Sequence, residues 1–173
     1  MAPGVRIRLL EPADSIAELT ELIHRAYAPL GAQGLHYVGV DQTTDQTLAR
    51  IKGGECYVAE DDDGTIVGTI TFHDAANTAG APWYDQDHVA CFHQFCVDPA
   101  HQGRGIGRAL LDTIERRARE TGARELSCDT AQPATHLVQM YEHFGYRIVD
   151  TVDWRPVTNY LSVVLSKTLE RAD

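Results

Sequence analysis

Gln94-Phe95-Cys96-Val97-Asp98-Pro99, followed two residues later by Gln102-Gly103-Arg104-Gly105-Ile106-Gly107-Arg108, is the stretch whose reading decides the fold. The run from His88 to Val97 is strongly β in character, and Asp98-Pro99 closes it. From about Gly105 to Thr121 the periodicity changes to that of an amphipathic helix, with Ile106, Ala109, Leu110, Ile114 and Ala118 recurring at three and four residues. Between strand and helix stand three glycines on alternate positions. The first turn of a helix carries backbone N–H groups without intrahelical partners and the positive end of the macrodipole. Glycines there let a bulky anion approach the backbone, and Arg104 and Arg108 add full charges, so the stretch reads as a phosphate-binding loop.

Working outward, Val5 to Leu10 alternates as a half-buried strand, and a helix is expected over Ser15 to Ala28 with Asp14 as its N-cap and Pro29 and Gly31 ending it. A Gly-rich segment, 31–40, precedes a short helix from about Asp41 to Lys52. Cys56 to Glu60 and Thr65 to Phe72 are strands joined by Asp61-Asp62-Asp63-Gly64, a hairpin turn without the spacing or distal Glu of a calcium loop. Asp74 to Asp87 reads as a polar loop near the active face. After the glycine-loop helix, Glu125 to Thr130 is a strand, Pro133 to Phe144 a helix, and Tyr146 to Trp154 and Asn159 to Leu169 two further strands. The order βααββ, βαβα, ββ implies a single domain, 1–173, of α/β or α+β class with a mixed sheet.

The formal charge of −10 argues against nucleic-acid partners, whose binding rests on neutralising phosphates with Lys and Arg. An acidic protein suits a cationic acceptor, though acidity is also ordinary among soluble proteins. The first ten residues do not read as a signal peptide, and no apolar run is long enough to span a membrane. The four cysteines lack C-x-x-C spacing and lie in apolar runs, which points to buried thiols and a reducing, cytoplasmic location.

The glycine spacing is not that of a dinucleotide fingerprint, which is G-x-G-x-x-G in an early βαβ unit, nor of a Walker A loop, which needs a following Lys-Ser or Lys-Thr. Gln94 to Pro99 with Gln102 to Leu111 instead resembles the signature of the GCN5-related N-acetyltransferases (GNATs), whose loop is Q/R-x-x-G-x-G/A. Met140-Tyr141-Glu142-His143-Phe144-Gly145-Tyr146 resembles the same family's aromatic-helix motif. The resemblance implies a mixed sheet splayed between its fourth and fifth strands and flanked by helices. It also implies acetyl-CoA as co-substrate, with the pantetheine along Phe95, Cys96 and Val97 and the pyrophosphate on Gln102, Gly103, Arg104, Gly105, Ile106 and Gly107, beside Arg108. The activity implied is acetyl transfer to a primary amine in a ternary complex, without a metal. A non-catalytic acyl-CoA sensor, another acyl donor or a hydroxyl acceptor are the alternatives. Ala134 stands where many relatives carry an Asn that contacts the cofactor.

Acyl transfer needs a base for the amine, a donor for the oxyanion and a proton for the departing thiolate. Tyr141 matches the family's tyrosine near the thioester sulfur and is assigned as general acid. His93 is the base candidate, because strict alternation puts Val89, Cys91, His93, Phe95 and Val97 on one face and Gln94 and Cys96 on the other. His88 and His93 then fall on opposite faces and do not make a zinc site. Asp129 is expected to cap the Pro133 helix rather than point into the cleft, and His136 to face away from Tyr141. The acceptor, a small-molecule or protein amine, is expected to meet 31–43 and 74–87, where Asp41, Asp45, Asp74, Asp85 and Asp87 suit a cation. Monomer or homodimer are both open, the final strand pair offering a dimer edge.

Overall fold

The computed structural model describes residues 4–170, so part of the N-terminal stretch read above as lacking a signal peptide lies outside the described residues. Seven strands form one sheet in the order β1-β2-β3-β4-β5-β7-β6. They are β1 (Val5–Leu9), β2 (Glu55–Asp61), β3 (Ile66–His73), β4 (Val89–Val97), β5 (Glu125–Ala131), β6 (Arg147–Val152) and β7 (Ser162–Thr168). Helices α1 (Ile16–Ala32), α2 (Thr44–Ile51), α3 (Ile106–Glu120) and α4 (Thr135–His143) complete the mixed α/β architecture. Among the described residues only β4 and β5 run parallel; the other neighbours are antiparallel.

Each local choice has a visible cause. In the β2–β3 turn the Asp61 carboxylate accepts from the amides of Asp63 and Thr65, and Gly64 takes the left-handed conformation (φ 79°) that a Cβ would penalise. Thr43 and Gln46 form a reciprocal capping box that starts α2. Ser15, rather than Asp14, caps α1 by accepting from the Glu18 amide, while Asp14 is held by Arg8 at 2.8 Å. Pro29 does not end α1 as the sequence suggests. A proline removes one N–H but keeps a helical φ, and the last turn is closed by the Gln33 amide bonding to the carbonyls of Pro29 and Leu30.

The two faces of the sheet are covered by different helices. Phe72, Phe92, Leu126 and Leu165 pack with Ile106, Leu110 and Ile114 of α3. On the other face Leu19, Leu22 and Ile23 of α1 cover Cys56, Val58 and Cys96. All four cysteines are buried free thiols. No described helix is long and apolar enough to cross a membrane.

Segment 74–87 departs from its reading as a polar loop. Ala81 and Tyr84 are buried with Val89, Cys91 and Val164, and the Trp83 indole N–H donates to Ser127 Oγ at 2.9 Å. The aromatics thus fold the loop onto the end of the sheet beside β5.

Candidate active site

The site begins where β4 and β5 separate. They pair only through Val89, Ala90 and Cys91, opposite Glu125, Leu126 and Ser127, and part beyond that point. At Gln94 the strand also bulges: φ is +52°, and the register with β3 shifts between Thr69 and Thr71. A non-glycine residue in this region costs roughly 1–2 kcal/mol. The Gln42 amide donates to Gln94 Oε1 at 2.6 Å and holds it there. The bulge changes which side chains share a face. Cys91 and His93 stay together, but Phe95 and Val97 join Phe92 on the α3 side, and strict alternation through β4 is thereby corrected.

Beyond β4, Asp98 accepts from the Ala100 amide at 2.9 Å and pairs with Arg25 at 3.0 Å, turning the chain into the glycine loop. Gly103 (φ 76°) and Gly105 (φ 80°) are both left-handed, and Gly105 is the N-cap of α3. No heavy atom lies within 4 Å of where a Cβ would stand at either position. The loop therefore offers its backbone to open space. Ile106, fully buried, anchors the start of the helix behind it.

A cavity of about 830 Å³ runs from this loop into the cleft between the parted strands. Of the residues expected to contact the coenzyme, it brings together Phe95, Cys96, Val97, Gln102, Gly103, Gly105, Ile106 and Gly107. Arg104 is exposed outside the lining, and Arg108 is engaged by Asp112 at 3.0 Å with its guanidinium 5.2 Å from the Phe144 ring centre. Both expected catalytic residues, Tyr141 and His93, line the same cavity. So does His136, against expectation: five residues separate it from Tyr141, about 140° around the helix, and the cavity wraps that far. None of the five aspartates expected to attract a cation lines it.

Tyr141 packs among Phe92, Phe95 and Tyr146, with ring centres 5.8–6.5 Å apart. Burial pushes its phenol well above the ordinary value, so it keeps its proton at neutral pH. Asp129 is not a helix cap. Tyr84 donates its hydroxyl to Asp129 Oδ1 at 2.7 Å, and Ala134, without a side-chain acceptor, stands at the N-cap of α4. Burial raises the Asp129 carboxyl above its usual range, while the Tyr84 hydroxyl works in the opposite direction. Burial, with Arg50 and His73 adding to it, pushes the His93 imidazole down to about 3; its ring lies 5.5 Å from that of His73. Among the described residues no cluster of three or more His, Cys, Asp or Glu is arranged to hold a metal.

The model of the acetyltransferase (GNAT) family matches residues 16–146. The chain belongs to the GNAT acetyltransferase family. It is 33% identical over 152 residues to the S-(2-succino)cysteine N-acetyltransferase of Bacillus subtilis strain 168, covering 84% of this chain and 85% of that protein. The L-methionine sulfoximine/L-methionine sulfone acetyltransferase of Salmonella typhimurium strain LT2 is 25% identical over 150 residues, 82% of this chain and 80% of that one. A GNAT family acetyltransferase from Elizabethkingia anophelis with acetyl-CoA bound superposes with a TM-score of 0.68 at 17% identity, covering 96% of this chain and 99% of that one, a likeness of fold.

The GNAT acetyltransferase fold accounts for the wedge and the loop, but three cavity residues escaped the sequence reading: Tyr84, Arg50 and Asp129 as a cleft group. Tyr84 was marked only by being an aromatic in a polar segment. Arg50 was one of several charges on a short helix. It lines the cavity, and its guanidinium donates to Gln42 Oε1 at 2.8 Å.

Proposed function

We propose that the protein transfers the acetyl group of acetyl-CoA to the primary amine of a small molecule by direct attack. The observation that carries this reading is a single cavity that joins the glycine loop to Tyr141 and Asp129. The open space in front of Gly103 and Gly105 fits a pyrophosphate received by helix-start amides, and the parted edge of β4 beside Phe95, Cys96 and Val97 fits a pantetheine arm. Acetyl-CoA supplies an acyl group activated as a thioester. The relatives named above are called acetyltransferases of S-(2-succino)cysteine and of L-methionine sulfoximine and L-methionine sulfone, which favours a small-molecule acceptor over a protein.

An alkylammonium, with a pKa near ~10, must lose a proton before its nitrogen attacks. An imidazole held near 3 is a poor acceptor for that proton, so His93 is assigned to accept a hydrogen bond from the amine and orient it. Asp129, whose carboxyl burial raises above its usual range and whose Oδ1 accepts from the Tyr84 hydroxyl, takes the proton. The amine nitrogen adds to the thioester carbonyl to form the C–N bond, and the C–S bond then breaks. The departing thiolate takes the proton of Tyr141, and the second proton lost by the nitrogen restores the Tyr141 phenol, so that the net proton released is the one on Asp129.

Free-thiol release from acetyl-CoA, measured across a panel of small primary amines, tests the reading. Acceptor-dependent release is the expected result. Tight acetyl-CoA binding with no release for any amine would instead make the protein a coenzyme-binding module.

A further inference from the structure

We infer that Arg50 is the carboxylate anchor of the acceptor site, so that the acceptor is an amino acid whose ammonium faces Asp129 and whose carboxylate faces the Arg50 guanidinium. This rests on the acetyl-transfer reading above and names its acceptor. Arg50 and Asp129 both line the one cavity, and among the described residues neither forms an ion pair within 4 Å. Arg8, Arg117 and Arg147 each reach a carboxylate within 3.1 Å. Arg50, half-buried, reaches none within 4 Å among the described residues; its one side-chain partner is the neutral amide oxygen of Gln42.

Gln42 is itself fixed. It is 1% exposed, and its amide nitrogen donates both to Thr47 Oγ1 at 2.7 Å and to Gln94 Oε1 at 2.6 Å, which leaves its oxygen turned to Arg50. This brace orients the guanidinium through one nitrogen without neutralising it. A desolvated cation without a counter-ion is costly unless a ligand completes it, and a planar guanidinium matches a carboxylate with two parallel hydrogen bonds. Asp129 acts on Arg50 only through space, and its Oδ1 accepts from the Tyr84 hydroxyl. A cavity presenting one cation and one carboxylate complements a zwitterion. A net-neutral zwitterion is also not repelled by a protein of charge −10. The remaining walls here, Tyr37, Tyr160 and Trp154, are aromatic and suit the acceptor's side chain.

The test compares each of several L-amino acids with its decarboxylated amine, for example L-methionine with 3-(methylthio)propylamine and L-phenylalanine with phenethylamine. Initial rates are measured with acetyl-CoA, and binding of the matching N-acetyl products to the CoA-loaded protein is measured by calorimetry. The expected result is that the acid of at least one pair is preferred in both readouts. Arg50→Met should raise KM for that acid roughly tenfold to a hundredfold and remove the preference, while Arg50→Lys restores part of it. Equal use of acid and amine by the unmodified protein, or a preference that survives in Arg50→Met, would overturn the anchor. Carboxylate-dependent product binding that persists without thiol release for any amine would support the anchor while refuting acetyl transfer. Absence of both would refute both.

Discussion

The Tyr84 hydroxyl donates to Asp129 Oδ1 at 2.7 Å, and the Tyr84 ring stands 6.5 Å from that of His93 in an edge-on arrangement. Tyr84 thus stands between the proposed base, Asp129, and the proposed orienting group, His93, and it does so from the loop before β4. Burial raises Asp129 and the Tyr84 hydroxyl lowers it. A base acts only when deprotonated, so activity should fall as pH drops through the Asp129 pKa. Removing the hydroxyl in Tyr84→Phe lifts that pKa further and moves the acidic limb of the kcat/KM profile to higher pH. Asp129→Asn should lower kcat by about 10²–10⁴. A Tyr84→Phe profile superimposable on that of the unmodified enzyme would remove Asp129 from the proton path.

Tyr141→Phe should reduce kcat by roughly 10²-fold while leaving the Kd for acetyl-CoA within about threefold. The ring packs against Phe92, Phe95 and Tyr146, and phenylalanine keeps those contacts. Circular dichroism melts should therefore differ little between the two proteins. Turnover equal to that of the unmodified enzyme would mean that the thiolate leaves unaided or takes its proton elsewhere.

Gly105→Asn separates backbone strain from occlusion of the loop. Asparagine tolerates the left-handed conformation better than other non-glycine residues, and no protein atom stands within 4 Å of its Cβ. The fold should survive with a Tm change of a few degrees. Its side chain would project into the space assigned to the pyrophosphate, so affinity for acetyl-CoA should drop about tenfold or more, the loss of one charge-assisted contact. Calorimetric titration reads both outcomes on one sample, and undiminished affinity would move the phosphate site away from Gly105.

The parts of this molecule legible in its sequence are those with local causes. Alternate glycines between a β-run and an amphipathic run foretell the loop, because two of them, Gly103 and Gly105, take φ of 76° and 80°, where a Cβ is penalised. Tyr141 is legible because its neighbours match a family motif. What escaped is set by distant partners. The bulge at Gln94 breaks the alternation of β4, and the amide that holds Gln94 comes from Gln42, 52 residues earlier. Asp129 reads as a helix cap until Tyr84, 45 residues away, claims its carboxylate. Arg50 sits on a short helix whose orientation over the cleft follows from packing. The half of the site proposed for the coenzyme is therefore written in short motifs, and the half proposed for the acceptor in long-range pairings.

Asp98 links the parted strand to the glycine loop, and its ionisation should be felt in stability. Burial would raise its pKa, but the Ala100 amide and Arg25 outweigh that and hold it below the ordinary carboxylate value. A carboxyl depressed in the folded state stabilises the fold above the unfolded pKa of about 3.9 and loses that contribution as pH falls through its lower folded value. Asp98→Asn removes the charge, keeps a side-chain oxygen for the Ala100 amide and weakens the hold on Arg25. Because Arg25 is half exposed, solvent screens the ion pair, and the expected loss at pH 7 is about 0.5–1 kcal/mol. The gap between the two melting temperatures should be constant above about pH 5 and should close towards pH 3. A gap that stays constant down to pH 3 would show that the substitution acts through packing or turn geometry rather than through the carboxylate charge.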